Sequence, residues 1–336
     1  MRYKNSKYYI ENISADTIAR KFGTPSYVYS YKKIKKNINN FKKNFKSIKP
    51  IICFSVKSNA NLQILKIIKN FGLGADVVSK GELIQALKAG IKPAKIVFSG
   101  VGKTKDELKF AIEKKIFLIN AESENEISEI EKLAKISNLM VKVGIRLNPD
   151  TDAKTLSKIS TGKKENKFGV DQKKFFKIIN KYRYSKYLKI SCLSVHIGSQ
   201  ITSHKPFEKM LNVVKKTIFK SKHVFEFVDL GGGMGIQYGP KDKKLSYKIY
   251  QKLVKKFLTT IKSKIIFEPG RAIIGNAGLI ISKIIYIKQT PRADFIIIDA
   301  AMNDLIRPAL YGASHRILAS KKNNFKNYRR HEFVGP

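Results

Sequence analysis

Six short stretches carry side chains that could do chemistry together. The first, Phe54-Ser55-Val56-Lys57-Ser58-Asn59, ends an apolar run on a lysine. Desolvation at such a place lowers the amine pKa and frees a nucleophile. Taken alone, the same lysine reads as a snorkelling surface residue. The second, Gly74-Ala75-Asp76-Val77-Val78-Ser79, sets an acid inside an apolar stretch. That acid needs a partner, for which a neighbouring lysine serves, or else it caps a helix. The third, Gly144-Ile145-Arg146-Leu147-Asn148-Pro149, places one of only 10 arginines after an apolar run; a structural ion pair is the plainer reading of Arg146. The fourth, Val195-His196-Ile197-Gly198-Ser199-Gln200, holds one of five histidines. His196 is either a satisfied core residue or a ring that stacks on a flat ligand, with the Ser199 hydroxyl available to a phosphate.

The fifth stretch, Asp229-Leu230-Gly231-Gly232-Gly233-Met234-Gly235, lets backbone N–H groups approach an anion. Ile236-Gln237-Tyr238-Gly239-Pro240 follows and is no helix, which weakens a dinucleotide-binding reading. In the sixth, Phe267-Glu268-Pro269-Gly270-Arg271, an acid leaves an apolar run. Gly270 and Arg271 there could complete a phosphate cradle or bind a carboxylate, or the segment is a mere turn. No HExxH or CxxC spacing occurs, so no metal is expected.

The elements that must position these residues alternate along the chain. Residues 31–47 form a basic amphipathic helix with Ile34, Ile38, Phe41 and Phe45 on one face. Apolar runs then follow at 50–56, 75–79, 95–100, 117–121, 140–147, 190–197, 225–230 and 264–267. Helical patterns separate most of them, and a polar loop spans 148–167. Strands alternating with helices make a parallel sheet, because parallel strands need crossovers. Eight such units over about 230 residues fit a closed (β/α)8 barrel, with a doubly wound open sheet as the competitor. Barrel enzymes carry their chemistry at the C-terminal strand ends, where all six stretches fall. The rhythm changes after Arg271. Residues 8–13, 279–287 and 293–299 read as strands of a second, β-rich region with too few strands to close. The expected division is therefore 1–30 and 275–336 for an α/β protein's β domain, around a barrel at 31–274.

An amine, an acid, a stacking imidazole and a phosphate cradle around one barrel mouth are what pyridoxal 5′-phosphate requires. These motifs, with Lys80-Gly81-Glu82-Leu83 and the segment from Asp299 to Tyr311, resemble the pyridoxal-phosphate decarboxylases with an alanine-racemase-type barrel. Within them, the Met302 to Tyr311 segment is most similar to the diaminopimelate decarboxylases. The resemblance runs from about residue 24 to the end. It implies that Lys57 bears the cofactor as a Schiff base with Asp76 nearby, and that His196 stacks on the ring. It also implies that Ser199, Gly231, Gly232, Gly233 and Gly270 hold the phosphate, with Arg146 and Pro269 in the cofactor site. By the same resemblance Glu268 is expected to pair with the pyridine nitrogen, and Arg271, Arg307 and Tyr311 to hold the substrate. The implied reaction is decarboxylation of meso-2,6-diaminopimelate to L-lysine, by a homodimer with sites at its interface. Family members continue beyond Val334-Gly335-Pro336 into a Cys-Glu-Ser stretch and a later Tyr. The chain is therefore expected to be truncated there and to turn over little as it stands.

The alternatives are a decarboxylase for ornithine, arginine or carboxynorspermidine, a racemase, or an inactive cofactor-binding or nucleic-acid-binding protein. The net charge of +42 favours the last. However, 57 of the cations are lysines, spread along the chain rather than clustered as arginine forks. Runs such as Lys32–Lys36, Lys42–Lys49 and Lys241–Lys244 read as solvated faces, so no specific nucleic acid is expected. Only Cys53 and Cys192 occur, both in apolar runs, and residues 1–15 have no signal-peptide core. A reducing, cytoplasmic location without membrane contact is expected.

Overall fold

The structure, a computed structural model, describes residues 1–153, 161–162, 165–239, 242–322 and 330–336. Part of the polar loop at 148–167 and Lys241 of the basic run therefore lie outside the described residues. The chain divides into two compact units. One comprises Asn37–Gln237 and Lys243–Gly275; the other comprises Met1–Lys36, Tyr238–Asp242 and Asn276–Pro336.

The larger unit is a closed barrel of eight parallel strands in sequential order. They are β1 (Ile51–Ser55), β2 (Gly74–Val77), β3 (Ile96–Phe98), β4 (Leu118–Ala121), β5 (Val141–Arg146), β6 (Leu188–Ser194), β7 (Phe227–Asp229) and β8 (Lys264–Phe267). The ring closes where Ile266 and Phe267 of β8 pair with Ile51 and Ile52 of β1. Beyond those pairs the Ser55 N–H donates to the Pro269 carbonyl at 3.3 Å. Cys53, Val97, Leu118, Cys192, Phe227 and Ile266 fill a buried layer inside the ring. Two inward glycines make room for neighbours. A Cβ on Gly74 would lie 2.1 Å from the Lys95 carbonyl, and one on Gly144 would lie 2.1 Å from Asn120 Oδ1.

Helices start where the sequence offers a side chain to cap orphan N–H groups. Ser79 caps Lys80–Lys88, Thr104 and Glu107 form a capping box on Lys105–Glu113, and Ser123 caps Glu124–Ile136. The expected apolar face of residues 31–47 is realised in Tyr31–Phe45, where Ile34, Ile38, Phe41 and Phe45 are all buried. Phe41 and Phe45 pack on Phe267 of β8 with centroids 5.8 and 4.8 Å away. Each such side chain contributes about 1.5–3 kcal/mol by leaving water.

One strand sits earlier than its apolar run suggests. The run at 190–197 predicts a strand ending on Ile197, but the ladder ends at Ser194. Val195 and Ile197 stay buried although the chain has left the ladder, so hydrophobicity does not mark this strand's end.

The smaller unit is β-rich. Arg2–Lys4, Lys7–Ile10 and Ile13–Ser14 form one antiparallel sheet. Ser26–Tyr29 pairs with Gly278–Ile281. Ile284–Gln289, Asp294–Ile298 and His331–Val334 form a third sheet, whose last strand is parallel to its neighbour. The single strand expected at 279–287 is thus two strands, broken at Ser282 and Lys283. Ser282 Oγ and the Lys283 N–H both donate to Asp299 Oδ1, at 2.6 and 2.9 Å, and so turn the chain out of register. Among the described residues no helix is long and apolar enough to cross a membrane.

Candidate active site

The C-terminal ends of the barrel strands gather most of the expected residues. Lys57 lies in a 3₁₀ turn, Val56–Ser58, directly after β1. Its side chain is exposed, contrary to the desolvation expected of a lysine ending an apolar strand. The 3₁₀ turn lifts it off the strand into solvent. Asp76 of β2, paired in register with Ser55 of β1, is buried. Ser55 Oγ donates to Asp76 Oδ2 at 2.8 Å, while Oδ1 accepts no hydrogen bond. Burial raises the Asp76 carboxyl, opposed by the Lys57 charge and the Ser55 hydrogen bond.

Arg146, the last residue of β5, is buried and already paired. Its Nη1 donates to Glu122 Oε1 at 2.7 Å, and its guanidinium lies 4.6 Å from the Phe168 ring centroid. Glu122 also accepts the Gly169 N–H at 2.7 Å. The structural ion pair weighed for Arg146 is therefore present. Its Nη2 reaches the His196 carbonyl at 3.5 Å, which places this pair behind the histidine.

His196 follows β6, and its Nδ1 accepts the Gly232 N–H at 3.2 Å. An accepting Nδ1 leaves the proton on Nε2. Burial and the charges of Lys57 and Arg146 hold the imidazole well below its ordinary pKa, so the ring is neutral.

The glycine loop after β7 is tightly built. Gly231 and Gly233 have φ of 62° and 82°, where a side chain is strained. A Cβ on Gly231, Gly232 or Gly233 would fall 2.5 Å from His196 Nδ1, 2.3 Å from the Glu268 carbonyl or 2.4 Å from the Gly198 carbonyl. The Gly231 N–H donates to Asp229 Oδ1 and the Gly232 N–H to His196. These two N–H groups therefore serve the protein itself, and the glycines shape the loop rather than offer every N–H to an anion. Gln200 clamps the far side of the loop. Its amide donates to the Ile236 carbonyl at 2.6 Å and accepts the Ile236 N–H at 3.1 Å.

Glu268 follows β8 and is buried, its N–H bonded to the Gly231 carbonyl at 2.9 Å. Burial and the facing Asp229 carboxylate raise its carboxyl well above the ordinary range. Pro269 carries the carbonyl that Ser55 holds. A Cβ on Gly270 would touch Ser58 and Ser55 at 3.0–3.2 Å. Arg271 donates through Nε and Nη2 to Ser199 Oγ at 3.3 and 3.2 Å, which joins the fourth and sixth stretches.

Arg307 and Tyr311 fall on a short helix, Arg307–Tyr311, of the smaller unit. There the Arg307 guanidinium lies 4.9 Å from the Tyr238 ring centroid and 3.1 Å from His315 Nε2.

Three contributors were not singled out in the sequence: Asp229, Asn120 and Ser99. Asn120 Nδ2 donates to Asp229 Oδ2 at 2.8 Å and to Ser99 Oγ at 3.3 Å. Ser99 Oγ in turn donates to Glu268 Oε1 at 3.4 Å. The local signal for Asp229 was its place at the end of an apolar strand, the same signal that marked Asp76.

A closed parallel barrel with an amine, a neutral imidazole, a buried acid and a glycine cradle at one mouth defines the barrel class of pyridoxal-phosphate enzymes. Residues 31–275 match the family model for the pyridoxal binding domain of pyridoxal-dependent decarboxylases, so the cofactor is pyridoxal phosphate. The chain is 40% identical over 325 residues to the diaminopimelate decarboxylase of Aquifex aeolicus, a match covering 95% of this chain and 76% of that protein. It is 38% identical to the enzyme of that name from Pseudomonas aeruginosa, over 99% of this chain and 81% of the relative. The crystal structure of Helicobacter pylori diaminopimelate decarboxylase complexed with L-lysine superposes with a TM-score of 0.90 at 37% identity, over 96% of this chain and 81% of that one. The chain belongs to the diaminopimelate decarboxylase family.

The site's own residues fit the cofactor. Lys57 presents an exposed amine, Asp76 Oδ1 is a buried acceptor without a donor, and the glycine loop leaves no room for any Cβ. Ser199 and Arg271 supply a hydroxyl and a guanidinium side by side.

Proposed function

We propose that this chain decarboxylates meso-2,6-diaminopimelate to L-lysine and carbon dioxide, using pyridoxal 5′-phosphate held by the barrel of residues 31–274. The observation that carries the reading is the convergence of the exposed Lys57 amine, the buried Glu268 acid and the neutral His196 ring at one strand-end face. Bound there, the cofactor supplies an electron sink for the pair released when the carbon–carboxylate bond breaks.

Lys57 would hold the cofactor covalently through its amine. Asp76 faces Lys57 and keeps positive charge favourable at that nitrogen. His196 presents a neutral face to the ring, fixed by the Gly232 N–H on one side and by Arg146 behind. A neutral stacking partner does not repel a cationic ring. Glu268 would pair with the ring nitrogen, where a buried carboxyl would keep that nitrogen protonated. Ser199, Arg271 and Gly270, on the loop shaped by Gly231 to Gly233, take the phosphate. Arg307 and Tyr311 take the carboxylate that stays.

A proton must return to carbon. Cys53 and Cys192 are both buried in strands, where burial pushes their thiols well up. Neither is placed to supply that proton. A homodimer belongs to the reading; the exposed Ile284, Ile285, Tyr286 and Ile287 give the smaller unit an apolar strand suited to a second copy.

The test is a substrate panel on protein loaded with pyridoxal 5′-phosphate. Lysine should form from meso-diaminopimelate, and ornithine, arginine and carboxynorspermidine should be left untouched. Lys57→Ala should abolish the visible absorbance of the lysine-bound cofactor. Persistence of that absorbance, or a preference for ornithine, overturns the assignment.

A further inference from the structure

Lysines line the exposed helix faces of this chain, but the Lys103 side chain is only 1% exposed. It stands in the loop between β3 and the helix Lys105–Glu113. All three of its ammonium donors are used. Nζ donates to the Gly100 carbonyl at 2.6 Å, the Asn120 carbonyl at 2.8 Å and Glu126 Oε1 at 2.5 Å. The ring of buried Phe98 lies 5.7 Å from Nζ and closes a further side. Glu126 is nearly as buried, and its Oε2 accepts the Glu122 N–H at 3.0 Å. One cation therefore fastens together the chain just past β3, β4 itself and the entry to the helix Glu124–Ile136.

The backbone held in this way carries side chains to the barrel mouth. Ser99, next to Gly100, donates to Glu268 Oε1 at 3.4 Å. The Asn120 side chain reaches Asp229. Glu122 takes Arg146 Nη1 on Oε1 and the Gly169 N–H on Oε2, both at 2.7 Å. Arg146 in turn meets the His196 carbonyl. A buried ion pair adds little net stability, because the desolvation of both charges offsets their attraction. An apolar pair of similar volume would pack these loops as well. It would not hold two carbonyls and one N–H on neighbouring strand ends in a single geometry.

We propose that Lys103 is a positioning residue for the cofactor: by tying the ends of β3 and β4 together it sets Glu122 against Arg146, and so holds the His196 ring in its stacking place. This rests on the reading above, in which His196 stacks on the ring of the cofactor. The cation matters for the number and direction of its donors as well as for its charge. Three acceptors converge on one nitrogen, which the planar fork of an arginine does not match.

The experiment uses pyridoxal 5′-phosphate as the probe and two variants. Lys103→Met leaves Glu126 buried without its counter-charge, which endangers folding. Lys103→Met/Glu126→Met removes both charges together and should fold, because replacing both partners of a buried pair by apolar groups is often nearly neutral. In the folded variants the dissociation constant for pyridoxal 5′-phosphate should rise about tenfold, as for other losses of an outer partner. The visible circular dichroism of the bound cofactor, taken relative to its absorbance, should fall; it reads how the ring is held, which a purely structural role would not move. His196→Ala is the control for the reading and should lose the same signal. If His196→Ala loses it while the folded Lys103 variants keep the wild-type signal and affinity, the role of Lys103 is overturned and the reading stands. If His196→Ala keeps signal and affinity, the stacking placement is overturned and the role of Lys103 with it. A double variant that does not fold also overturns the proposal, because the pair is then required by the fold itself.

Discussion

Gly144→Ala tests how tightly the inside of the barrel is packed around Asn120 and Asp229. Gly144 lies in the middle of β5, and a methyl there would sit 2.1 Å from Asn120 Oδ1 and 3.1 Å from Cys192 Cβ. Ordinary contact begins near 3.4 Å, so the Asn120 carboxamide must retreat by more than an ångström. Asn120 is buried and its Nδ2 bonds Asp229 at 2.8 Å, so the retreat breaks that bond. Losing a hydrogen bond to a buried carboxylate costs about 1.5–3 kcal/mol. Overpacking adds about 1–3 kcal/mol. Gly144→Ala should therefore destabilise the chain by about 3–5 kcal/mol, read as a shift of the urea midpoint at unchanged slope. The companion measurement is a double-mutant cycle with Asn120→Ala, which removes the obstructing carboxamide. In that background the added methyl should cost far less, a coupling of about 2 kcal/mol. A Gly144→Ala chain within about 0.5 kcal/mol of wild type, or strict additivity with Asn120→Ala, would refute this account of the space.

Three further outcomes are expected. Glu122→Gln leaves the Arg146 guanidinium buried without its counter-charge, and should destabilise by about 3 kcal/mol in thermal unfolding and weaken cofactor retention through the His196 carbonyl. His196 should stay neutral, with its proton on Nε2, below its ordinary pKa in a nitrogen-15 NMR titration. Because the unfolded chain takes up that proton first, His196 should remove stability as pH falls through about 6.5. Glu268 works in the opposite sense: its folded-state pKa is raised, so the cofactor-free chain loses stability as pH rises above about 4.5. Glu268→Gln should therefore raise the melting temperature of that chain at pH 8.

The barrel was legible because each strand is an apolar run and several of its helices begin with a side-chain cap such as Ser79, Thr104 or Ser123. Those signals are local, and the family motifs named the mouth residues from Lys57 to Arg271. What escaped was the geometry between strands. Asp229 gains its meaning from Asn120, 109 positions away, and from Glu268 on the next strand; no window of sequence contains all three. Of the two readings open for Lys57 the exposed one holds, because it lies in a 3₁₀ turn after β1 and is exposed while Val56 beside it stays buried. The extra length assigned to the sixth strand arose because Val195 and Ile197 are as buried off the ladder as on it. Asp299 splits an apolar stretch from outside it, which hydrophobicity cannot report.

The closure between β8 and β1 bears on how the protein acquires its activity. Two residue pairs and the Ser55–Pro269 hydrogen bond stitch this seam, and Ile266 meets Ile51 across more than 200 residues of chain. Contacts of such long sequence separation are slow to form, because the intervening loop must be closed first. Ser55, Glu268 and Pro269 all stand at that seam. A barrel with its other pairings made but this one open has its lysine and its acid on free ends, and no cradle between them. Cofactor capture during refolding is thus a clock for the last suture of the ring, and amide exchange at Ser55 and Glu268 should slow most when the cofactor binds.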